Sequence, residues 1–408
     1  MAFAQPSTAV GVSKLPPLGA PGLVALVVLV LGTLLLGAVY GTAHGALFLI
    51  GGGLGIALYH AAFGFTSAWR VFIADGRGRG LRVQMLLLAL AVILFFPALS
   101  NGTLFGNEVR GNISPAGIGV IAGAFMFGIG MQLGGGCASG TLFTAGGGNA
   151  RMLVTLLFFV IGSLLGTIHF DWWVSLPSVP PTSLFQLFGA AGGIAVSLIL
   201  FGAIAAITIF VERRRHGTLE QAPSSPRHGW QRYLRGPWPL VAGAVALVAL
   251  NFLTLAIAGR PWGITSAFAL WGAKGAQLFG IDPTQWAYWQ TPGNAKALSQ
   301  SVLADVTSVM DFGIIAGAML AATLAGQFAP SLDIPLRSVL AAVVGGLLLG
   351  YGARIAYGCN IGAYFSGIAS GSLHGYLWAV AAFAGNILGV RLRPWFFLER
   401  SSIRRNDG

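Results

Sequence analysis

Charged residues are scarce in this chain. Of its 408 residues, 8% are Asp, Glu, Lys or Arg, whereas soluble domains average roughly 25%. Hydrophobic residues make up 55% of the chain, and the mean hydropathy is +0.78. This composition excludes an ordinary soluble domain and predicts an integral membrane protein.

Acidic residues are rarer still, and the patterns of several kinds of functional site are missing. The chain has 11 Asp and Glu residues, and only Asp311, at the edge of an apolar run, is a candidate intramembrane acid. Proton coupling through buried acids therefore has little support. The sequence has no Cys, His or carboxylate cluster with metal-ligand spacing and no P-loop. We expect no metal, no cofactor and no ATP-driven pumping by this chain.

The formal charge of +12 comes from basic residues crowded into three polar stretches, 70–82, 213–235 and 391–405. Such a bias is typical of the cytoplasmic loops of multispanning proteins. A nucleic-acid-binding protein would show a basic-aromatic motif or a soluble domain. We therefore expect no nucleic-acid partner and assign the three stretches to the cytoplasm.

Ten apolar runs are long enough to cross about 30 Å of hydrocarbon. They lie near residues 22–41, 44–62, 83–100, 116–133, 151–169, 185–211, 239–257, 311–328, 338–356 and 373–390. The abundant glycines would let such helices approach closely, and Gly37, Gly41 and Gly45 form one small-residue row. The sequence predicts an all-α polytopic membrane protein with about ten transmembrane helices.

The runs fall into two groups separated by a polar linker. The predicted organisation is an N-terminal tail (1–21), an additional N-terminal transmembrane helix (22–43), a first half (44–211), a cytoplasmic basic linker (212–238), a second half (239–395) and a C-terminal tail (396–408). Within the second half, residues 259–310 are rich in Trp and more typical of an interface or vestibule than of a span.

The two cysteines of the chain each lie in a glycine-rich break between apolar runs. Cys137 belongs to Gly134-Gly-Gly-Cys-Ala-Ser-Gly-Thr141, and Cys359 to Gly350-Tyr-Gly-Ala-Arg-Ile-Ala-Tyr-Gly-Cys-Asn-Ile-Gly362. Broken backbone at membrane depth is tolerated only where it is buried in protein or lines a cavity. We therefore predict that both thiols lie on a pathway for something that interacts with sulfur.

The charge-derived topology inverts between the halves. The Cys137 loop follows a span that runs inward, and the Cys359 loop follows one that runs outward. A short sequence similarity accompanies the inversion, since Gly64-Phe-Thr-Ser-Ala68 resembles Gly263-Ile-Thr-Ser-Ala267. We call these two the echoing segments. Inverted repeats with discontinuous helices are a transporter architecture. We predict two pseudo-symmetric inverted halves with re-entrant loops that carry Gly and Cys.

The residues around each cysteine are suited to an anion. Gly136 and its neighbours can turn sharply and expose N–H groups, and a half-helix beginning near Ser139 would direct its positive end at Cys137. Ser139 and Thr141 add hydroxyl donors, and Asn360 flanks the second cysteine.

Structural alternatives remain for these residues. A free cysteine is often a small buried apolar residue, and a disulfide needs the two Cα atoms within about 7 Å. Arg354 either attracts an anion or reaches the headgroups. Thr66, Thr265 and Ser266 either bond nearby carbonyls or line the path, and Arg151 is expected as a solvated anchor.

Residues 134–141, 263–266 and 350–362 resemble the signatures of the YeeE/YedE sulfur-transport family, and the resemblance covers roughly residues 45–395. It implies a bacterial inner-membrane protein that takes up thiosulfate, with short loop helices dipping toward the centre. It also implies that cysteine thiols pass the ion along a central path by S–H hydrogen bonds. Some members of the family work with a small sulfur-carrier protein of the rhodanese or TusA type.

Cys137 and Cys359 match two of the three path cysteines of that family, and the third is absent. The chain has Phe63-Gly64-Phe65-Thr66 where the family has a Phe-Cys-Leu-Thr-like segment. Either two cysteines suffice, a backbone N–H or the Thr66 hydroxyl replaces the thiol, or the substrate differs.

The leading hypothesis is therefore an inner-membrane transporter of thiosulfate or a related sulfur-containing anion. The predicted path residues are Cys137, Cys359, Gly64, Thr66, Gly136, Ser139, Thr141, Thr265, Ser266, Arg354 and Asn360. The alternatives are a transporter of a selenium compound or another reduced sulfur species, a membrane thiol oxidoreductase, and a structural or sensory protein. Because Cys-x-x-Cys and cofactor motifs are lacking, we expect no enzyme.

Overall fold

A computed structural model of the chain describes residues 19–222, 227, 229–330, 334–396 and 398. Ten helices within these residues are long and apolar enough to cross a membrane. The prediction of an all-α polytopic membrane protein with about ten spans is confirmed. Most of the two tails predicted at 1–21 and 396–408 lies outside the described residues.

The helices of the first part of the chain include seven of these spans, if α3 and α6 are counted with the helices before them. They are α1 (Ala20–Tyr40), α2 (Thr42–His60), α3 (Phe65–Asp75), α4 (Arg79–Asn101), α5 (Ile118–Gly134), α6 (Ala138–Gly146), α7 (Ala150–Ile168), α8 (Phe170–Ser175), α9 (Leu184–His216), α10 (Gly229–Arg235) and α11 (Leu240–Ala258).

The second part contains three further long helices with shorter ones between them. Its α-helices are α12 (Thr265–Leu278), α13 (Ala287–Gln290), α14 (Pro292–Ser299), α15 (Val306–Ala325), α16 (Leu336–Ile355), α17 (Gly367–Ala369) and α18 (Leu373–Leu392). A π-helix covers Asn360–Ser366, and 3₁₀ turns cover Pro283–Gln285, Val302–Ala304 and Arg393–Phe396.

Sheet structure in the described residues is limited to two antiparallel pairs of two-residue strands. The strands are β1 (Thr103–Leu104) with β2 (Asn107–Glu108), and β3 (Ala116–Gly117) with β4 (Ser178–Val179). The β1–β2 pair directly follows α4, and β3 directly precedes α5. No candidate spanning helix lies wholly within 259–310, and α15 begins near the end of this stretch, at Val306. Trp271 connects α12 to α15, since its Nε1 donates to Ser308 Oγ at 2.9 Å.

The predicted close helix approach at Gly37, Gly41 and Gly45 is present, but the three residues do not form a row along one helix, because α1 ends at Tyr40. Gly41 has φ of +99°, a conformation that glycine adopts without strain, and the chain turns there from α1 into α2. Gly45 consequently packs back against the backbone of Gly37. The glycines serve a contact between two helices, although the spacing resembled a stripe along one.

Long helices of the predicted first half (44–211) pack on long helices of the predicted second half (239–395), to which α11 belongs. Helix α2 packs on α15, and α4 packs on α11. Likewise α5 packs on α18 and on α16, while α7 packs on α16. The order of elements also corresponds, since a long helix, a break with a cysteine, a short helix and another long helix follow one another as α5–α7 and again as α16–α18.

Glycine residues allow the backbones of these packed helices to approach one another closely. A β-carbon at Gly317 of α15 would overlap the carbonyl oxygen of Gly52 in α2, and one at Gly385 of α18 would overlap that of Phe125 in α5. Gly350 of α16 lies in the same way against Phe159 of α7. Between membrane helices, where apolar burial gives no net drive, such backbone approach supplies the packing energy.

We expect Gly317→Ala to destabilise the protein by about 1–3 kcal/mol, because the added methyl group forces α2 and α15 apart. The measurement is the thermal unfolding midpoint of the purified protein in detergent. Gly275→Ala is the matched control, since a β-carbon at Gly275 in α12 meets nothing within 4 Å. An equal effect of both substitutions would contradict the packing argument.

Candidate functional site

Cys137 occupies the N-cap of the short helix α6. Its Sγ accepts a hydrogen bond from Gly140 N at 3.4 Å and lies 3.4 Å from Ser139 Oγ. The Thr141 hydroxyl donates to the Cys137 carbonyl at 2.9 Å. The thiol therefore lies at the positive end of α6, where unpaired N–H groups collect. The predicted half-helix is present, and it begins at Ala138.

The end of α5 that precedes this loop is capped by side chains from elsewhere in the chain. Arg393 Nη1 donates to the Gln132 carbonyl at 2.6 Å, Arg151 Nη2 to the Leu133 carbonyl at 2.6 Å and Thr155 Oγ1 to the Gly134 carbonyl at 3.1 Å. These are the carbonyls that a helix leaves without partners at its C-terminus. Arg151 is thus a cap of α5, and its expected role as a solvated anchor is wrong.

Cys359 occupies the corresponding position before the π-helix. Its Sγ accepts a hydrogen bond from Ile361 N at 3.4 Å. The surrounding carbonyls are held from outside the loop, since Trp378 Nε1 donates to Gly358 O at 3.2 Å and Asn112 Nδ2 to Gly362 O at 2.6 Å. Each thiol is therefore an acceptor for an N–H group of the helix that follows it, and its S–H group is a further, weak donor.

A ring of hydrogen bonds joins the second loop to α11. Asn251 Nδ2 donates to Ser366 Oγ at 3.2 Å, Ser366 Oγ donates to the Trp262 carbonyl at 2.6 Å, and Trp262 N donates to Asn251 Oδ1 at 2.8 Å. All three residues are buried. The ring fixes the segment that leads into Gly263–Ser266 against the π-helix.

The two cysteine loops meet in the interior of the protein. Cys137 and Cys359 belong to one continuous buried cluster, and α6 contacts the π-helix. Both cysteines are free. Thr66, at the start of α3, is also buried.

Buried polar atoms without a hydrogen-bond partner are found on several residues around the loops. Among the described residues these include Thr66 Oγ1, Trp262 Nε1, both amide atoms of Asn360 and both carboxyl oxygens of Asp311. Such atoms are uncommon in folded proteins, because an unpaired buried polar group costs about 1–3 kcal/mol. A hydroxyl, an indole N–H and an amide are donors that an anion in this region would satisfy.

A cavity of about 540 Å³ leads to the Cys359 loop, and we name it the Arg354 cavity. Its lining includes Gly358 and Gly362 on either side of Cys359, together with Arg110, Arg260 and Arg354. Thr265 and Ser266 also line it. Three guanidinium groups against one carboxylate, Glu108, make this cavity attractive to anions.

Arg354 itself is 7% exposed. Its Nη1 donates to the Tyr288 hydroxyl, and its guanidinium carbon lies 5.1 Å from the centroid of the Tyr288 ring. A snorkelling arginine would instead extend its charge to the surface. The Tyr288 contacts hold the charge inside the protein at the wall of the cavity.

A second cavity, of about 190 Å³, is lined by Phe63, Gly64, Ser67, Arg77 and Arg79, and we name it the Arg77 cavity. A carboxylate on α9 holds Arg77 in place at the wall of this cavity. Glu212 is completely buried and pairs with Arg77 at 3.3 Å and with Arg82 at 2.7 Å.

The two cavities lie at opposite ends of the bundle. Leu240, the first residue of α11, lines the Arg77 cavity, and Ala258, its last residue, lines the Arg354 cavity. A 19-residue helix spans about 28 Å at 1.5 Å per residue. The echoing segments Gly64–Ala68 and Gly263–Ala267 therefore face opposite ends, one at each cavity.

Aromatic side chains pack between the start of α3 and the π-helix. Phe65 is completely buried, with its ring centroid 5.4 Å from that of Phe63 and 6.0 Å from that of Tyr364. Tyr364 in turn stacks on Trp378 at 6.1 Å. Cys137 and Cys359 are also buried, and neither residue lines the Arg77 cavity or the Arg354 cavity.

The predicted site residues fall into two groups. Cys137, Ser139, Thr141 and Gly136 build the first loop, where Ser139 and Thr141 bond the cysteine itself and Gly136 packs against Gly140. Others lie at the cavities or beneath them. These are Gly64 at the Arg77 cavity, Thr265, Ser266 and Arg354 at the Arg354 cavity, and the buried Thr66, Cys359 and Asn360 between them.

Sequence reasoning missed several residues that the structure brings to this region. Trp262 and Arg260 lie directly before the Gly263–Ser266 segment, and this position next to predicted path residues was the one sequence signal that could have identified them. Arg110 comes from the connection between β2 and α5, and Gln132 comes from the end of α5, where its Nε2 donates to the Thr66 carbonyl at 3.2 Å. No local pattern connects Arg110 to the distant Cys359 loop, or Gln132 to Thr66 at the start of α3.

Comparison with known proteins agrees with this architecture. The profile of the family described as sulphur transport matches residues 60–388. The chain belongs to the sulphur transport family. The members of this family are transporters, which removes the oxidoreductase alternative.

Individual members of the sulphur transport family show similarity over different lengths. The thiosulfate transporter TsuA of Spirochaeta thermophila is 30% identical over 348 residues, which cover 83% of this chain and 95% of that protein. The TsuA of Escherichia coli is 24% identical over 296 residues, 69% of this chain and 75% of that protein. The probable transporter YedE of Escherichia coli is 32% identical over 165 residues, and the match spans 39% of YedE.

We expect the two echoing segments of this sulphur transport protein to be reached from opposite sides of the membrane. In a background with both native cysteines replaced by Ala, Ser266→Cys should react with an impermeant maleimide from one side and Ser67→Cys from the other. Labelling of intact cells and of inverted vesicles measures this. Ala269→Cys, which replaces a completely buried residue, should stay unlabelled, and reaction of both probes from the same side would refute the arrangement.

Proposed function

We propose that the protein takes up thiosulfate, or a closely related sulfur-containing anion, across the bacterial inner membrane through the two cysteine loops. The observation that carries the proposal is the pairing of Cys137 and Cys359, two free buried thiols that each cap a short helix in a broken segment. Two relatives are named thiosulfate transporters, and the similarity to one of them extends over most of both chains.

The route begins at the Arg354 cavity, where arginines attract the anion. The ion then exchanges its hydration for fixed donors, which are N–H groups of the loops, the hydroxyl of Thr66 and the two S–H groups. Its exit is the Arg77 cavity beside Gly64. Passage of the ion requires Phe65 and Tyr364 to move, since their buried rings pack between the start of α3 and the π-helix.

We further propose that the halves are inverted repeats, with each cysteine loop entering from its own side. The matched helix pairs α2 with α15 and α4 with α11, and the cavities at opposite ends of α11, support this relation. In that orientation the Arg77 cavity faces the cytoplasm. The basic stretch 70–82 lies beside it, where a small acidic sulfur carrier of the TusA or rhodanese type would receive the anion.

We expect Cys137→Ala and Cys359→Ala each to lower thiosulfate uptake by more than about tenfold, because hydrogen bonds to a charged partner contribute roughly 1.5–3 kcal/mol. The measurement is the initial rate of labelled thiosulfate entry into proteoliposomes. Ser163→Ala is the control, since this buried serine between α7 and α16 makes only a 3.5 Å contact to Gly350 O. Undiminished uptake by both cysteine variants would remove the thiols from the mechanism.

We expect Gly64→Cys to raise thiosulfate flux, because it supplies a third thiol at the Arg77 cavity. Gly64 has φ of −105° and ψ of 112°, which any residue adopts, but a β-carbon there would require the Ser67 hydroxyl to rotate.

Gly64→Ala is the matched control for this experiment, since it introduces the same steric contact without sulfur. Flux measured for thiosulfate, sulfate and selenite compares the three proteins. A rise that Gly64→Ala reproduces, or a rise for sulfate as large as for thiosulfate, would contradict a role for the thiol.

A further inference from the structure

Asp311 is a completely buried carboxylic acid in α15. Neither of its oxygens has a hydrogen-bond partner among the described residues. The acidic residues that do structural work here are paired, as Glu212 is with Arg77 and Arg82 and Asp305 with Ser308. Asp311 therefore has no structural role that its surroundings explain.

The position of Asp311 follows from its neighbour one turn earlier. Thr307 Oγ1 accepts hydrogen bonds from Arg260 Nη2 at 3.0 Å and from Ser266 Oγ at 3.1 Å, and both donors line the Arg354 cavity. Residues four apart lie on one face of a helix. The Asp311 side chain is thus one turn deeper than the floor of this cavity.

The helix that carries this carboxyl group also packs against the first cysteine loop, since α15 contacts α6, the helix that follows Cys137. One turn beyond Asp311, the Ile315 carbonyl of α15 contacts Gly146 at the end of α6. Asp311 accordingly lies on the part of α15 between Thr307, which is bonded to the lining of the Arg354 cavity, and the residue that contacts α6.

The surroundings determine the charge of this group. An isolated carboxylate in a medium without donors or counter-ions is so unfavourable that the group takes up a proton instead. Within the described part of the chain no cation and no hydrogen-bond donor bonds to either oxygen of Asp311. A protonated carboxyl has one O–H donor, and that donor is unused here.

We propose that Asp311 is an anion-binding residue of the transport path, a neutral acid that donates its O–H to thiosulfate below the Arg354 cavity. The proposal rests on the transport function proposed above. The neutral acid adds a donor without adding charge, and it is the same use of a buried protonated carboxyl that stabilises oxyanions in some enzymes. An ionised Asp311 would repel the doubly charged ion.

Two substitutions separate this role from its alternatives. Asp311→Asn keeps the shape and a neutral donor, so thiosulfate flux into proteoliposomes should stay within about threefold of the native value. Asp311→Leu fills the space without a donor, so flux should fall more than about tenfold while the thermal unfolding midpoint is kept or raised, as happens when an unpaired buried acid is replaced by an apolar residue.

Either of two results would overturn the proposal. Loss of flux in a stably folded Asp311→Asn protein would show that the charge is needed, and native flux in Asp311→Leu would show that the carboxyl has no part in transport. Absence of thiosulfate flux in the native protein would instead refute the transport function, so the two failures are distinguishable.

Infrared difference spectroscopy of the native protein tests the same point without relying on the Leu variant. A protonated-carboxyl band that shifts when thiosulfate is added should be present, should vanish in Asp311→Asn and should persist in the matched control Asp305→Asn. A native protein that shows no such band, or a band that thiosulfate leaves unmoved, would refute the assignment.

Discussion

Backbone N–H and C=O groups at membrane depth have no water to bond to, so each break in a helix must find its partners inside the protein. Both cysteine loops meet this condition with groups from remote parts of the chain. The last carbonyls of α5 are bonded by Arg151, Thr155 and Arg393, and carbonyls of the second loop by Trp378 and Asn112. The loops therefore keep their shape only while the whole bundle is assembled.

The close packing of glycines is what makes that assembly compact enough. Gly317 and Gly385 bring backbones of the two halves into direct contact, and α5 and α7 pack on α16 in the same bundle. A looser bundle would admit lipid or water to the broken backbone. The high glycine content, which would weaken a soluble helical protein, here holds the non-helical segments in place.

Once the backbone is satisfied, a few side-chain donors remain unpaired, and these carry the functional argument. The unpaired groups of Thr66, Trp262, Asn360 and Asp311 lie in the zone between an arginine-lined cavity at one end and a smaller one at the other. Stability alone would favour apolar residues at such positions. Their presence fits a site that is completed when an anion arrives.

The class of protein, the ten spans and the two broken segments followed from the sequence, because hydropathy, charge bias and glycine-cysteine spacing are local properties. The sequence-based predictions that failed were those in which one local pattern is compatible with two different structures. The Gly37–Gly45 row resembled a helix stripe and contains a turn, and Arg151, next to a loop, resembled a surface anchor and caps α5. In both cases the deciding contact is made by a residue on another helix.

The sequence by itself determined that a membrane bundle with two thiol-bearing breaks must form. The length and apolarity of each run and the position of each break depend only on residues that are neighbours in the chain. Only the tertiary structure decided which polar groups would be left without a partner and which arginines would share a cavity. The physical reason is that hydrogen-bond satisfaction is a property of neighbours in space. The two cysteine loops, more than 200 residues apart in the chain, are brought into contact by helix packing, and no local sequence pattern predicts that contact.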